Sequence, residues 1–302
     1  MNNIDHSNIT NTTYNTTIFV HPGSDMQEIE NWQEKLMAIL QQIPSKANSL
    51  KPIIQFLVSV ISPAKIYLLN HHEDGQSNSE YTDLLIVISS KTTVSFTELE
   101  PILDIVYLKN QKVSCSLHNE GSVLEGLRNG HIFYSLNFIK ENLVYDDKVL
   151  EYPITPPEAL QTMKQNALER FIDCYDKANG FYECALFMNE NRSTSITIFH
   201  LHQAAEQIFR GILLSLNGYD KRTHEIRVLK KYVRRCAQPL NECLPDANDN
   251  DKRLLDILEK AYLRSRYEDN YVIDANDIAY LFDAVKQLLF SSKDYVQKRL
   301  QF

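Results

Sequence analysis

The sequence predicts an α+β chain, with a small mixed sheet and helices in its first half followed by an all-α, up-down helical bundle. Short apolar runs of strand character, "AKIYLL", "TDLLIVIS" and "KVSCSLHN", alternate with helical stretches as far as residue 147. The proline-rich stretch "YPITPPEAL" at 152–160 then marks a boundary. Beyond it, every long segment repeats its apolar residues at helical spacing. The 302 residues therefore divide into a poorly ordered Asn/Thr-rich segment, 1–23, a mixed domain, 24–150, and a helical domain, 151–302.

In the mixed domain, Ile29, Trp32, Leu36, Ile39 and Leu40 share one face of a helix that runs from Ser24 to about Gln42. Residues 50–62 form a second helix, with Pro52 in the first turn, where a missing N–H does no harm. Strands follow at 64–69 and 82–89, joined by the polar loop "NHHEDGQSNSE". The stretch 95–110 is helical and is expected to start near Pro101, because proline breaks a helix interior. A strand at 112–119, a helix at 121–140 and a closing strand at 142–147 complete the domain.

The second half reads as five helices: 157–189, either continuous or broken near Gly180; 193–217, capped by Ser193 or Thr194 and stopped by Gly218; 223–236; 251–266; and 274–300, with Asp274 as its cap and Asp277 in its first turn.

Net charge is −8, which gives no global basic footprint for duplex nucleic acid. Cys115, Cys174, Cys184, Cys236 and Cys243 are scattered, odd in number and without a CxxC pair, as expected of reduced thiols in a cytoplasmic protein. No apolar run is long enough to span a bilayer, so no membrane is expected, and the first residues lack the basic and apolar regions of a signal peptide. The paired histidines of "NHHEDG" (70–75) lie in a solvated loop and do not make a metal site. His200 and His202 lie two apart on a helix, so one faces the core and the other the surface, and they cannot share a metal.

The order helix, strand, polar turn, strand, helix, strand over residues 50–147 resembles the minimal nucleotidyltransferase fold. That family has Gly-Ser after the first strand and Asp-x-Asp opening the next, with a third acid on a later strand. Two carboxylates at strand spacing share a face and can hold Mg²⁺ through oxygen ligands. Here Leu69-Asn70 stands in place of Gly-Ser and Tyr81-Thr82-Asp83 in place of Asp-x-Asp, with no acid on the later strand before Glu120. Asn70, Tyr81 and Asp83 thus mark a vestigial transferase site that holds no metal. The other reading is an unrelated small α+β domain, with Asp83 an ordinary acid at a strand mouth.

Residues 157–300 resemble the HEPN family of helical domains, through "HQAAEQIFRGILL", the restart "THEIRVL" and "LRSRYEDNY". Ala204 and Ala205 allow close helix approach, and Glu206 and Arg210 form an i,i+4 pair. Thr223 is placed to cap the next helix, with His224 and Glu225 in its first turn. Many family members are ribonucleases with Arg, four to six residues, then His. Arg222 precedes His224 by two, Arg192 precedes His200 by eight, and no His follows Arg264 or Arg266, so the motif is absent. No catalytic residue and no cofactor are implied.

The basic segment from Lys221 to Arg235 sits in an acidic protein, and Arg264, Arg266 and Tyr267 add two guanidinium groups and a ring. Lys221, Arg222, His224, Arg264, Arg266, Tyr267 and Glu206 are therefore the candidates for contact with a nucleotide or RNA. The resemblance implies a homodimer through the helical domain, and a toxin–antitoxin or defence setting. The alternatives are a ribonuclease with an unconventional site, a residual transferase, and a structural interaction protein.

Overall fold

The computed structural model describes residues 43–70, 82–109, 112–191, 193–268 and 271–300, together with Glu34, Met37, Ala38 and Gln41, which are helical. Most of the helix expected at 24–42, the loop 71–81 and Tyr81 lie outside the described residues.

After a 3-10 turn, Ser45–Leu50, helix α1 (Lys51–Ile61) carries Pro52 in its first turn as expected. Strands β1 (Lys65–Asn70) and β2 (Thr82–Ile88) pair antiparallel, with Ile66 opposite Ile86. Helix α2 (Phe96–Lys109) leads to β3 (Val113–Asn119), which lies parallel to β2. Helices α3 (Glu120–Arg128) and α4 (Ile132–Asn137) precede β4 (Leu143–Asp146), which pairs with β1 and gives the order β3-β2-β1-β4.

The strand period of two sorts the core. Ile66, Leu68, Leu84 and Ile86 pack with Ile54, Leu57 and Ile61 of α1 and Leu99 of α2. Tyr67, Leu69, Leu85 and Val87 point the other way and join Phe133 and Phe138 in a core continuous with the bundle. The two halves of the chain therefore share one core across the second face of the sheet.

In the first half, two helix boundaries differ from the sequence reading. Helix α2 starts five residues before Pro101, because Ser95 and Glu98 make a reciprocal capping box: the Ser95 N–H donates to the Glu98 carboxylate at 2.8 Å and the Glu98 N–H donates to Ser95 Oγ at 3.4 Å. The expected single helix at 121–140 is two. Gly130 at φ 70° and the His131 N–H donating to the Gly126 carbonyl at 2.7 Å form a left-handed termination that ends α3 and turns the chain into α4.

The bundle comprises α5 (Pro157–Glu190), α6 (Thr194–Ile212, continued by a π turn, Leu213–Asn217), α7 (Ile226–Ala237), α8 (Asp249–Tyr267) and α9 (Ala275–Leu300). Helix α5 runs unbroken through Gly180. Helix α6 lies close against it: a Cβ on Gly211 would fall 2.8 Å from the Cys174 Cβ, and Ala204 and Ala205 are fully buried. Ser193 holds the cap position of α6 without a side-chain cap bond, and Gly218 at φ 79° ends the π turn. Helix α7 begins three residues later than expected, with Glu225 at its cap position and Thr223 accepting from the Glu225 N–H, so His224 precedes the helix and does not lie in its first turn. Asn248 and Asp251 form a capping box at α8, and Asp274 accepts from the Asn276 N–H at the start of α9. The cysteines are unpaired, and among the described residues no helix is long and apolar enough to cross a membrane.

Candidate functional site: a stack built on Tyr262

Helix α6 brings His202 and Glu206, one turn apart, to the same buried face. The Glu206 side chain is 1% exposed, so its charge must be met by donors. Arg210 Nη1 donates to it at 3.1 Å, Gln203 Nε2 at 3.2 Å, and His224 Nδ1 lies 3.0 Å from Oε2. The i,i+4 pair read from the sequence is therefore the rim of a buried network and more than a surface contact. Arg210 also grips Asp220 with Nε and Nη2, which holds its guanidinium above the usual arginine range. These contacts tie both ends of the loop between α6 and α7.

His202 is fully buried, and burial pushes its imidazole down to about 4, so the ring is neutral near pH 7. Its Nε2 lies 3.0 Å from the His224 carbonyl, an acceptor only, so Nε2 carries the proton and donates. Nδ1 is then left to accept from Gln203 Nε2 at 3.1 Å. His224 is thus fixed at its backbone by His202 and at its side chain by Glu206, with the side chain still 52% exposed.

His224 stacks on Tyr262 of α8, with ring centroids 4.2 Å apart and planes 13° apart. The Arg266 guanidinium carbon lies 4.0 Å from the same ring centroid, and Arg266 Nε donates to the Tyr262 carbonyl at 2.7 Å. The Tyr262 ring therefore carries both the imidazole and the guanidinium, each about 4 Å from its centroid. Phe199 and Tyr267 lie 5.8 and 5.5 Å from that guanidinium, and Tyr267 is 76% exposed. The result is an exposed cation among rings over a buried carboxylate.

The structure thus brings Glu206, His224, Arg266 and Tyr267 together. Arg264, two residues from Arg266, points elsewhere: it pairs with Glu268 at 2.7 Å and lies over Tyr271 at 4.6 Å. Lys221 lies over Tyr232 at 4.8 Å, and Arg222 is exposed. Within the basic segment, Arg227 is engaged by Asp256 and Glu259, and Lys230 is buried, donating to the Leu244 carbonyl beside Asp246. Tyr262, His202 and Phe199 were not among the residues expected from the sequence. Tyr262 had a signal, its position four residues before Arg266 on one helix. His202 had none, because its role depends on the returning loop.

The sheet offers a different picture. Asp83 is 5% exposed and has the parity of Leu85 and Val87, so it faces the bundle. It pairs in register with Ser114, whereas Glu120 follows Asn119 at the far end of the same strand. Six residues at about 3.3 Å each separate the two levels by about 20 Å. The two acids cannot share a metal ion. Glu120 instead accepts from the Ser90 N–H at 3.1 Å and from the Tyr152 hydroxyl at 3.1 Å, tying the segment before α5 to the sheet. Asn70 pairs in register with Thr82 at the end of β1. Among the described residues, no group of His, Cys, Asp and Glu could hold a metal.

Residues 172–294 match the HEPN domain. The match runs from within α5 to within α9, so every member of the Tyr262 stack lies inside the HEPN region. No family matches the N-terminal sheet, and no curated protein matches the chain.

Proposed function

We propose that the HEPN region binds single-stranded RNA or a nucleotide without turning it over, through the exposed side of the Arg266–Tyr262–His224 stack with Tyr267 beside it, and with Lys221 and Arg222 of the loop before α7 as further contacts. The observation that supports this most is Arg266 lying on Tyr262 while exposed beside Tyr267. Guanidinium planes and aromatic rings take unstacked bases on their faces, and the charge takes phosphate. The chain's net charge of −8 favours a local, single-stranded contact over a duplex footprint. In this reading the transferase-like sheet is a degenerate domain that braces the bundle, and the cytoplasmic protein acts as a homodimer in a toxin–antitoxin or defence setting.

Fluorescence anisotropy with a labelled single-stranded RNA and its duplex tests the proposal. Preferential binding of the single strand, lost in Arg266→Gln, is the expected result; equal binding by the variant removes the site.

A second reading, an unconventional ribonuclease, is favoured by His224 Nδ1 held on the buried Glu206 carboxylate, which fits a general base. Time-dependent cleavage of the same RNA, abolished in His224→Gln, would support that reading against the binding module.

A further inference from the structure

Between the α3–α4 turn and α5 lies a second cleft of about 630 Å³, which shares no residue with the Tyr262 stack. Its volume is that of a small-molecule site. Ile132, Tyr134, Met163 and Leu214 give part of its lining an apolar character. Glu125, Asn129, Asn166 and Arg170, all exposed, also line the cleft, and among the described residues these side chains make no hydrogen bond or ion pair.

His131 completes the wall. Its Nδ1 is buried without a partner, and burial lowers its pKa, so the ring is neutral. A lone pair is cheaper to bury unpaired than an N–H. The proton therefore sits on Nε2, and His131 presents a donor. The cleft is kept open by backbone that side chains could not replace: a Cβ at Gly126 would meet the Tyr134 ring at 2.3 Å, and Gly130 adopts φ 70°.

One carboxylate, one guanidinium, two amides and a neutral donor beside apolar side chains match a ligand that carries both charges. We propose that this cleft binds a zwitterion of dipeptide size with bulky apolar side chains. Glu125 takes its ammonium group, Arg170 its carboxylate, and the Asn129 and Asn166 amides its peptide group. The side chains lie on Ile132, Met163 and Leu214.

Calorimetric titration of the full chain with Leu-Leu, N-acetyl-Leu-Leu and Leu-Leu-amide tests the proposal, with adenosine monophosphate and inorganic phosphate as comparison ligands. Leu-Leu should bind saturably, and each blocked form should bind at least tenfold more weakly. Glu125→Gln should lose the penalty for acetylation, and Arg170→Gln the penalty for amidation; both side chains are exposed, so both variants fold. No saturable binding of Leu-Leu, penalties unchanged in the two variants, or tighter binding of adenosine monophosphate that Arg170→Gln abolishes would each overturn the proposal. Binding of adenosine monophosphate that Arg266→Gln abolishes and Arg170→Gln leaves intact belongs to the Tyr262 stack, and the dipeptide results do not bear on that reading.

Discussion

His224 lies flat on Tyr262, with ring centroids 4.2 Å apart, although 38 positions separate the two in sequence and each belongs to a different element. The contact joins the loop before α7 to the exposed side of α8. It holds because Glu206 and His202 fix the imidazole from beneath. Loop and helix therefore present one surface, with Arg266 over the same ring.

If that surface stacks on a base, the ring matters more than the hydroxyl. Tyr262→Leu should weaken binding of single-stranded RNA by about 1–3 kcal/mol, and Tyr262→Phe should leave it near wild type. Anisotropy titrations of the two variants check this. Equal losses in both would assign the effect to the hydroxyl.

Glu206 is the buried anion on which the loop depends. Glu206→Ala removes the acceptor shared by Arg210, Gln203 and His224 and should destabilise the fold by about 1–3 kcal/mol, measured by urea denaturation. In a His224→Ala background the added loss should be smaller, because one partner is already gone.

His202 and His118 give the fold a pH dependence. Burial holds both at about 4, against an ordinary value of 6.5. Between those values the unfolded chain binds protons that the folded chain does not, so stability is complete above about pH 6.5 and falls as pH drops toward 4. Urea midpoints should decline across that window. His202→Gln with His118→Phe, which removes both groups, should make the decline shallower, with His131 and His200 carrying the remainder.

Asp83 should be silent in metal chemistry. It is buried toward the bundle, away from the far end of the strand that leads to Glu120. ATP with Mg²⁺ should give the same thermal shift for wild type and Asp83→Asn. A shift lost only in the variant would restore a metal role to the strand mouth.

Much of this was legible in the sequence, because periodicity and composition are local. The small sheet, the helical second half and the stop at Gly218 follow from apolar spacing and glycine placement. The misplaced boundaries share a cause: the Ser95–Glu98 box outweighs Pro101, and Gly130 with the Gly126 carbonyl outweighs the helical pattern of 121–140. Of the site, the charged members were legible by residue type. Their sorting was not, because Arg264 and Arg266 differ only in helical phase and in the rings each meets. His202 stayed invisible because its partner is a backbone carbonyl 22 residues away.

The central claim is that Arg266 acts as a stacked plane and not only as a charge. Arg266→Lys tests this directly, since lysine keeps the charge and loses the plane. In anisotropy titrations over a range of salt concentrations, the account predicts several-fold weaker binding of single-stranded RNA by Arg266→Lys with an unchanged salt slope. Affinity equal to wild type would contradict it.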